Sequence, residues 1–205
     1  MRQITRSAVL SFILLTTVAA ASAAEQPMLG EPAPGFRLET LEGTTFDLAE
    51  TRGEIVVVHF ATSWCPFCNA EGPHLERLWQ DYRERGVRVV TIDVRESRET
   101  TEAFAERWGF TFPTLLDADG AVAARYAPAG VLPDLPREDV PIAANLVIDR
   151  EGTIRFYSLL DTASFDARLT AVRGVVEQLL AEEPPVATAA SPGAKPASPG
   201  CGGRS

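Results

Sequence analysis

Two cysteines, Cys65 and Cys68, stand with two residues between them at the junction of an apolar run and a helical pattern. A bridge between residues so close constrains almost no loop, so as a structural staple it would add little by the loop-entropy account. The chemistry this spacing suits is exchange, in which a thiolate attacks a disulfide and a second thiol resolves the mixed disulfide. The pattern places Cys65 at or just before the first helical turn and Cys68 one turn further in. Unpaired backbone N–H groups and the positive end of the helix dipole favour a thiolate at such a position. Cys65 is therefore the expected nucleophile, with a pKa in the range of about 3.5–7.5, and Cys68 the expected resolving thiol. Pro66 suits the first helical position, because the N–H it lacks would go unpaired there anyway. The third cysteine, Cys201, lies between Gly200 and Gly202 near the end of the chain. It is expected to be incidental, with a reactive free thiol or an intermolecular link as alternatives.

Thiols so placed need a strand behind them and a helix in front. The β-branched, continuously apolar residues 54–61 predict a central strand buried on both faces. After the cysteines, Leu75, Leu78, Trp79 and Tyr82 repeat with helical spacing up to Gly86, with Pro73 expected to kink the helix. Residues 87–94 predict a second buried strand and 100–109 a helix, which together call for a right-handed parallel crossover. Upstream, Phe36, Leu38 and Leu41 lead through Gly43 to Phe46 and Leu48, a predicted hairpin. Downstream come a short strand at 114–116, a short helix to Tyr126 and a proline-rich loop over 128–141. Strands at 144–148 and 153–160, joined by Asp149-Arg150-Glu151-Gly152, form a second hairpin, and Phe165, Leu169, Val172, Val176 and Leu179 mark a closing helix. His59 falls inside the first buried strand and His74 lacks the spacing of a Cys2His2 set, so no metal site is expected. Trp79, Tyr82 and Trp108 read as core.

The chain has 205 residues, 45% of them apolar, which suits one soluble domain. Its first residues, Met1 to Arg6, are basic, an apolar run follows from Ala8 to Ala21, and Ser22-Ala23-Ala24 closes it. This is the pattern of a secretory signal peptide over residues 1–24, cleaved after Ala23 or Ala24; an uncleaved membrane anchor is the alternative. Residues 184–205 are almost entirely Pro, Gly, Ala and Ser, a composition expected to stay disordered. The folded domain is thereby bounded at 28–183. A net charge of −9 argues against nucleic acid as a partner, and a membrane is a partner only if the leading segment is retained.

The segment Trp64, Cys65, Cys68, Glu71 and Pro73, following an apolar strand, resembles the W-C-x-x-C-x-x-E-x-P signature of TlpA-like thiol-disulfide oxidoreductases, redoxin domains of the thioredoxin superfamily. Gly30 to Phe36, Phe112 to Asp117 and Leu146 to Gly152 are similar to further redoxin segments, so the likeness covers nearly all of 28–183. It implies an α/β thioredoxin-like fold: a central mixed sheet flanked by helices, with an N-terminal hairpin. It implies that Glu71 tunes or shuttles protons for the cysteine pair. It also implies a substrate-binding surface made by Trp64, Pro66, Phe67 and a cis-proline opposite the cysteines. At the expected place for that proline stands Ala143, with Pro141 two residues earlier. Either the loop is shifted so that Pro141 serves, or the proline is absent, which would change how substrate backbone docks and leave room for a metal.

The function expected is extracytoplasmic thiol-disulfide exchange, as a reductase of protein disulfides re-reduced by an electron-donor partner, with no cofactor. The spacing does not set the direction, since such pairs range over about −270 to −120 mV. A peroxidase is one alternative: Thr62 sits three residues before Cys65 as in peroxiredoxins, but Val58 occupies the place of their proline, and no arginine precedes Asp149 on its strand. A copper- or haem-maturation binding module is the other, distinguished by metal retained at the cysteines.

Overall fold

The computed structural model describes residues 28–128, 142–159 and 165–182. The predicted signal peptide, the proline-rich loop with Pro141, and the tail with Cys201 lie outside them. Seven strands form one sheet in the order β2-β1-β5-β4-β3-β6-β7. The centre is β3 (Ile55–Ala61), every residue of which is buried. It pairs in parallel with β4 (Val87–Val94) and antiparallel with β6 (Ala144–Ile148). Beyond β4 lies β5 (Thr114–Asp117), also parallel. The rims are the hairpin β1 (Arg37–Thr40) and β2 (Thr45–Asp47) on one side and β7 (Ile154–Leu159) on the other.

Alternation along β3 sends its side chains to two cores. Ile55 and Val57 pack against Leu75 and Leu78 of α1 (Pro66–Tyr82) and Val172, Val176 and Leu179 of α4 (Thr170–Ala181). Val56, Val58 and Phe60 face the other way, onto Phe36, Phe46, Leu48 and Tyr126 of α3 (Ala121–Tyr126). α2 (Arg98–Trp108) makes the crossover between β4 and β5; Ser97 caps its start and Gly109, with φ +64°, its end. Pro73 lies inside α1 without interrupting it.

The closing helix starts later than its apolar spacing suggests. Leu169 takes a left-handed φ of +56°, and the Asp166 carboxylate accepts from the N–H groups of Arg168 and Ala171, so helical geometry begins only at Thr170. Phe165 is thereby freed from the helix and packs on Phe67, ring centroids 4.8 Å apart. The strand topology puts the carboxyl ends of β3 and β4 and the start of β6 at one end of the sheet, where α1 begins.

Candidate active site

β3 ends at Ala61, and the chain turns through Thr62, Ser63 and Trp64 before α1 begins at Pro66. The turn is tied from several sides. The Cys65 N–H donates to the Thr62 carbonyl at 3.1 Å, and the Asn69 amide donates to the Ser63 and Cys65 carbonyls at 2.7 and 2.8 Å. The Glu96 carboxylate, just beyond β4, accepts from both the backbone N–H and the hydroxyl of Ser63. Trp64 is thrown outward, 67% exposed beside the thiols.

Cys65 is the N-cap of α1, with extended backbone, and its Sγ accepts from the Cys68 N–H at 3.4 Å. It is 6% exposed and Cys68 fully buried, and both are free thiols. The Cys68 thiol donating to it, and secondarily the N–H groups of Cys68 and Phe67, bring the Cys65 pKa down to about 6 against the opposing effect of burial. The same hydrogen bond, with burial, drives Cys68 far upward. One thiolate at Cys65 and one thiol at Cys68 is thus the state favoured at neutral pH.

Beneath the pair, Glu71 is buried one turn further along α1. Burial raises it to about 8, helped by the negative charges of Cys65 and Asp166 and opposed by Asn145. Asn145 Nδ2 donates to both Glu71 oxygens, at 2.9 and 3.0 Å, and His59 lies 2.8 Å from Asn145 Oδ1 through Nδ1. Asn145 and His59 are direct cross-strand partners on β6 and β3. On β4, Asp93 is also buried, neither oxygen has a hydrogen-bond partner among the described residues, and burial together with Glu96 pushes it up to about 8.

Ala143 packs against the cluster of Ala61, Cys65, Cys68 and Phe104. The β3–β6 register is unshifted, with Phe60 opposite Ala144, so Ala143 itself holds the place next to the thiols. No peptide bond among the described residues is cis, and Pro141 lies outside them. Pro66 is exposed at the helix start and Phe67 is half-buried under Phe165. Trp108, read from sequence as core, also borders the cysteine cluster. The polar residues that the spacing argument passes over are Asn145, Asp93 and Glu96, and it gives His59 no role beyond burial. Their signal is a polar side chain amid an apolar strand, which needs a partner when buried. Among the described residues no three His, Cys, Asp or Glu side chains cluster as a metal site.

A mixed sheet whose central strand delivers a free dithiol to a helix start defines a redoxin of the thiol-disulfide oxidoreductase class. Residues 29–157 match the AhpC/TSA family, and the chain belongs to it. It is 39% identical to the thiol-disulfide oxidoreductase ResA of Halalkalibacterium halodurans over 43% of this chain and 50% of that one. It is 32% identical to ResA of Geobacillus thermodenitrificans over 62% of this chain and 67% of that one. The chain thus spans about half to two thirds of the length of these relatives. Among solved structures, a secreted Mycobacterium tuberculosis disulfide oxidoreductase homologous to Escherichia coli DsbE is similar at 30% identity, with a TM-score of 0.57 over 70% of this chain and 96% of that one. The peroxidoxin BcpB of M. tuberculosis, 24% identical over 77% of this chain and 99% of that one with a TM-score of 0.60, shares the fold.

Proposed function

We propose that this protein works outside the cytoplasm and reduces disulfides of other proteins through Cys65 and Cys68. The observation that carries this reading is the placement of two free thiols one helical turn apart, Cys65 at the N-cap of α1 accepting from the Cys68 N–H, an arrangement that lowers Cys65 to about 6 and raises Cys68. The Cys65 thiolate attacks one sulfur of a substrate disulfide, a mixed disulfide forms, and the other substrate sulfur leaves as a thiolate. Cys68 gives its proton to Glu71 in its carboxylate form and attacks Cys65 Sγ, releasing the second substrate thiolate and closing the Cys65–Cys68 disulfide. Two electrons pass to the substrate, and a dithiol donor protein restores the pair. Trp64, Pro66, Phe67 and Ala143 surround the thiols as the surface on which substrate backbone would lie, with Pro141 as a further candidate. Export is supported by the signal-peptide pattern of residues 1–24 and by the secreted relative from M. tuberculosis.

The peroxidase alternative is not favoured: Val58 stands at the proline position of that chemistry, and the attacking thiol already has its resolving partner in the same turn. The experiment that tests the proposal is trapping. With Cys201→Ser in place to remove tail adducts, Cys68→Ser is expected to accumulate a reducible mixed disulfide with a protein substrate, seen on non-reducing electrophoresis. Adducts on Cys65→Ser and none on Cys68→Ser would reverse the roles. Insulin reduction together with the redox potential of the pair decides direction.

A further inference from the structure

We propose that Asn145, locked in one orientation by His59, is a positioning residue for Glu71, holding both carboxylate oxygens so that Glu71 stands ready to take the Cys68 proton. The proposal rests on the exchange reading above for what Glu71 does, and on geometry for how it is held.

An amide oxygen only accepts and an amide nitrogen only donates. The atom of Asn145 facing His59 Nδ1 at 2.8 Å is Oδ1, so the imidazole carries its hydrogen on Nδ1 and donates it. That bond fixes the other end of the amide: Nδ2, with two hydrogens, is turned on Glu71 and reaches Oε1 at 2.9 Å and Oε2 at 3.0 Å. His59 Nδ1 itself is 3.5 Å from Glu71 Oε2, within reach of it if the amide were to turn away. All three side chains are buried. His59 Nε2 has no hydrogen-bond partner among the described residues, and burial holds the ring neutral, with a pKa of about 4. The histidine therefore acts through its tautomer and not through a charge.

The groups facing Glu71 can be set out element by element. Cys65 and Cys68 lie on its own helix, His59 on β3, Asn145 on β6, and Asp166 ahead of α4. Every charge among them is negative or potentially so, and burial adds to the same tendency; Asn145 alone pulls toward the carboxylate. Without its two hydrogens Glu71 would hold its proton to a still higher pH, and the carboxylate form that can receive the Cys68 proton would be scarcer. A cleft of about 40 Å³, lined by Glu71, Asn145, Ser158 and Asp166 and not by the thiols, adjoins the carboxyl. It has room for a water beside the carboxyl, since one needs about 10–15 Å³.

The test uses the reduced full-length chain carrying Cys201→Ser. Carbon-13 labelling of glutamate carboxyls follows the titration of Glu71, identified by its loss in Glu71→Gln. Asn145→Ala is expected to move the Glu71 midpoint up by about one pH unit or more, because a hydrogen bond to a charged group is removed. His59→Phe is expected to move it in the same direction and by less. The pH midpoint for resolution of a mixed disulfide should shift with it, and Asn145→Ala should add no shift in the Glu71→Gln background. An unmoved Glu71 midpoint in a folded Asn145→Ala protein overturns the proposal. So does a further shift of the resolution midpoint in the double variant. Should Asn145→Ala fail to fold, nitrogen-15 shifts of the imidazoles in the parent protein decide, with His74→Gln separating the two histidines. A hydrogen on His59 Nδ1 is expected, and one on Nε2 refutes the arrangement. Absence of any exchange activity in the parent would defeat the functional reading, while the carboxyl titration would still report on Asn145.

Discussion

Cys68 directs two hydrogen bonds to Cys65, and they benefit only the acceptor. The Cys68 thiol donates to Cys65 Sγ, the Cys68 N–H does the same from the helix start, and the two sulfurs are driven apart in acidity although they are neighbours in chain and space. Removing the thiol donor should therefore be felt at Cys65. In Cys68→Ala the pH midpoint for alkylation of Cys65 is expected to rise from about 6 toward the ordinary thiol value of about 8.5. Cys68→Ser, which keeps a hydroxyl donor, should fall between. Rates of iodoacetamide labelling across pH check this, and midpoints left near 6 in both variants would show that the backbone and not the side chain sets the acidity. Cys65 and Cys68 are legible in the sequence because their relation is local, one turn of one helix, whereas Glu71 is picked out only by the redoxin resemblance. Asn145 is not, because its link to His59 depends on the register of two strands separated by more than eighty residues. The register fixes which polar residue of β6 meets which of β3, and no local pattern encodes it.

At the scale of elements, the strands and helices were readable wherever apolar period and turn chemistry agreed, as in β3, β4 and the hairpin at Asp149. The start of α4 was not, because Leu169 continues the apolar stripe while its backbone leaves helical space, and the Asp166 cap overrides periodicity. The contact of α1 with α2 is equally tertiary. A Cβ at Gly72 would lie 2.6 Å from the Trp108 ring, so the glycine is what lets the indole lie flat against α1 beside the cysteine cluster. Gly72→Ala gains helix propensity of up to about 1 kcal/mol, yet the ring has to move, and overpacking of this kind costs about 1–3 kcal/mol. A net loss of stability in denaturant melts is expected, with altered Trp108 fluorescence. A stabilised Gly72→Ala protein would mean that the ring yields freely. On the opposite face, Asp117 accepts from the N–H groups of Val122 and Ala123 at the start of α3. Asp117→Ala should cost about 0.5–2 kcal/mol as the loss of a cap.

Across the whole molecule, buried ionisable groups set how stability responds to pH. Glu71 and Asp93 are raised from 4.5 and 3.8 to about 8, and His59 is lowered from 6.5 to about 4. The two acids contribute stability that is complete below their unfolded values and is lost as pH rises to about 8. His59 contributes stability that is present above 6.5 and lost as pH falls toward about 4. Between 4.5 and 6.5 the unfolded chain lacks two acid protons but holds one on the histidine; between 6.5 and 8 it lacks both without that return. Above about 6 the folded chain has also given up the Cys65 proton that the unfolded thiol keeps to about 9, which offsets one of the two acids, so stability should decline with rising pH between 4.5 and 8 without steepening above 6.5. Thermal melts of the parent against Glu71→Gln with Asp93→Asn check this, since the double variant should lose most of the decline. The sheet has a second, quite different vulnerability at its rims, where a strand with one free side is a template for another chain. On the β7 side the residues leading into the domain close part of that template: Gly30 donates to Ile154, Ile154 to Glu31 and Ala33 to Gly152, with Pro32 bridging to Thr153. Whatever precedes Met28 is thus joined to a segment that shields a self-association edge, and a truncation to Pro34 is expected to leave the thiols untouched yet make the protein aggregate through β7, seen as a larger species on size exclusion.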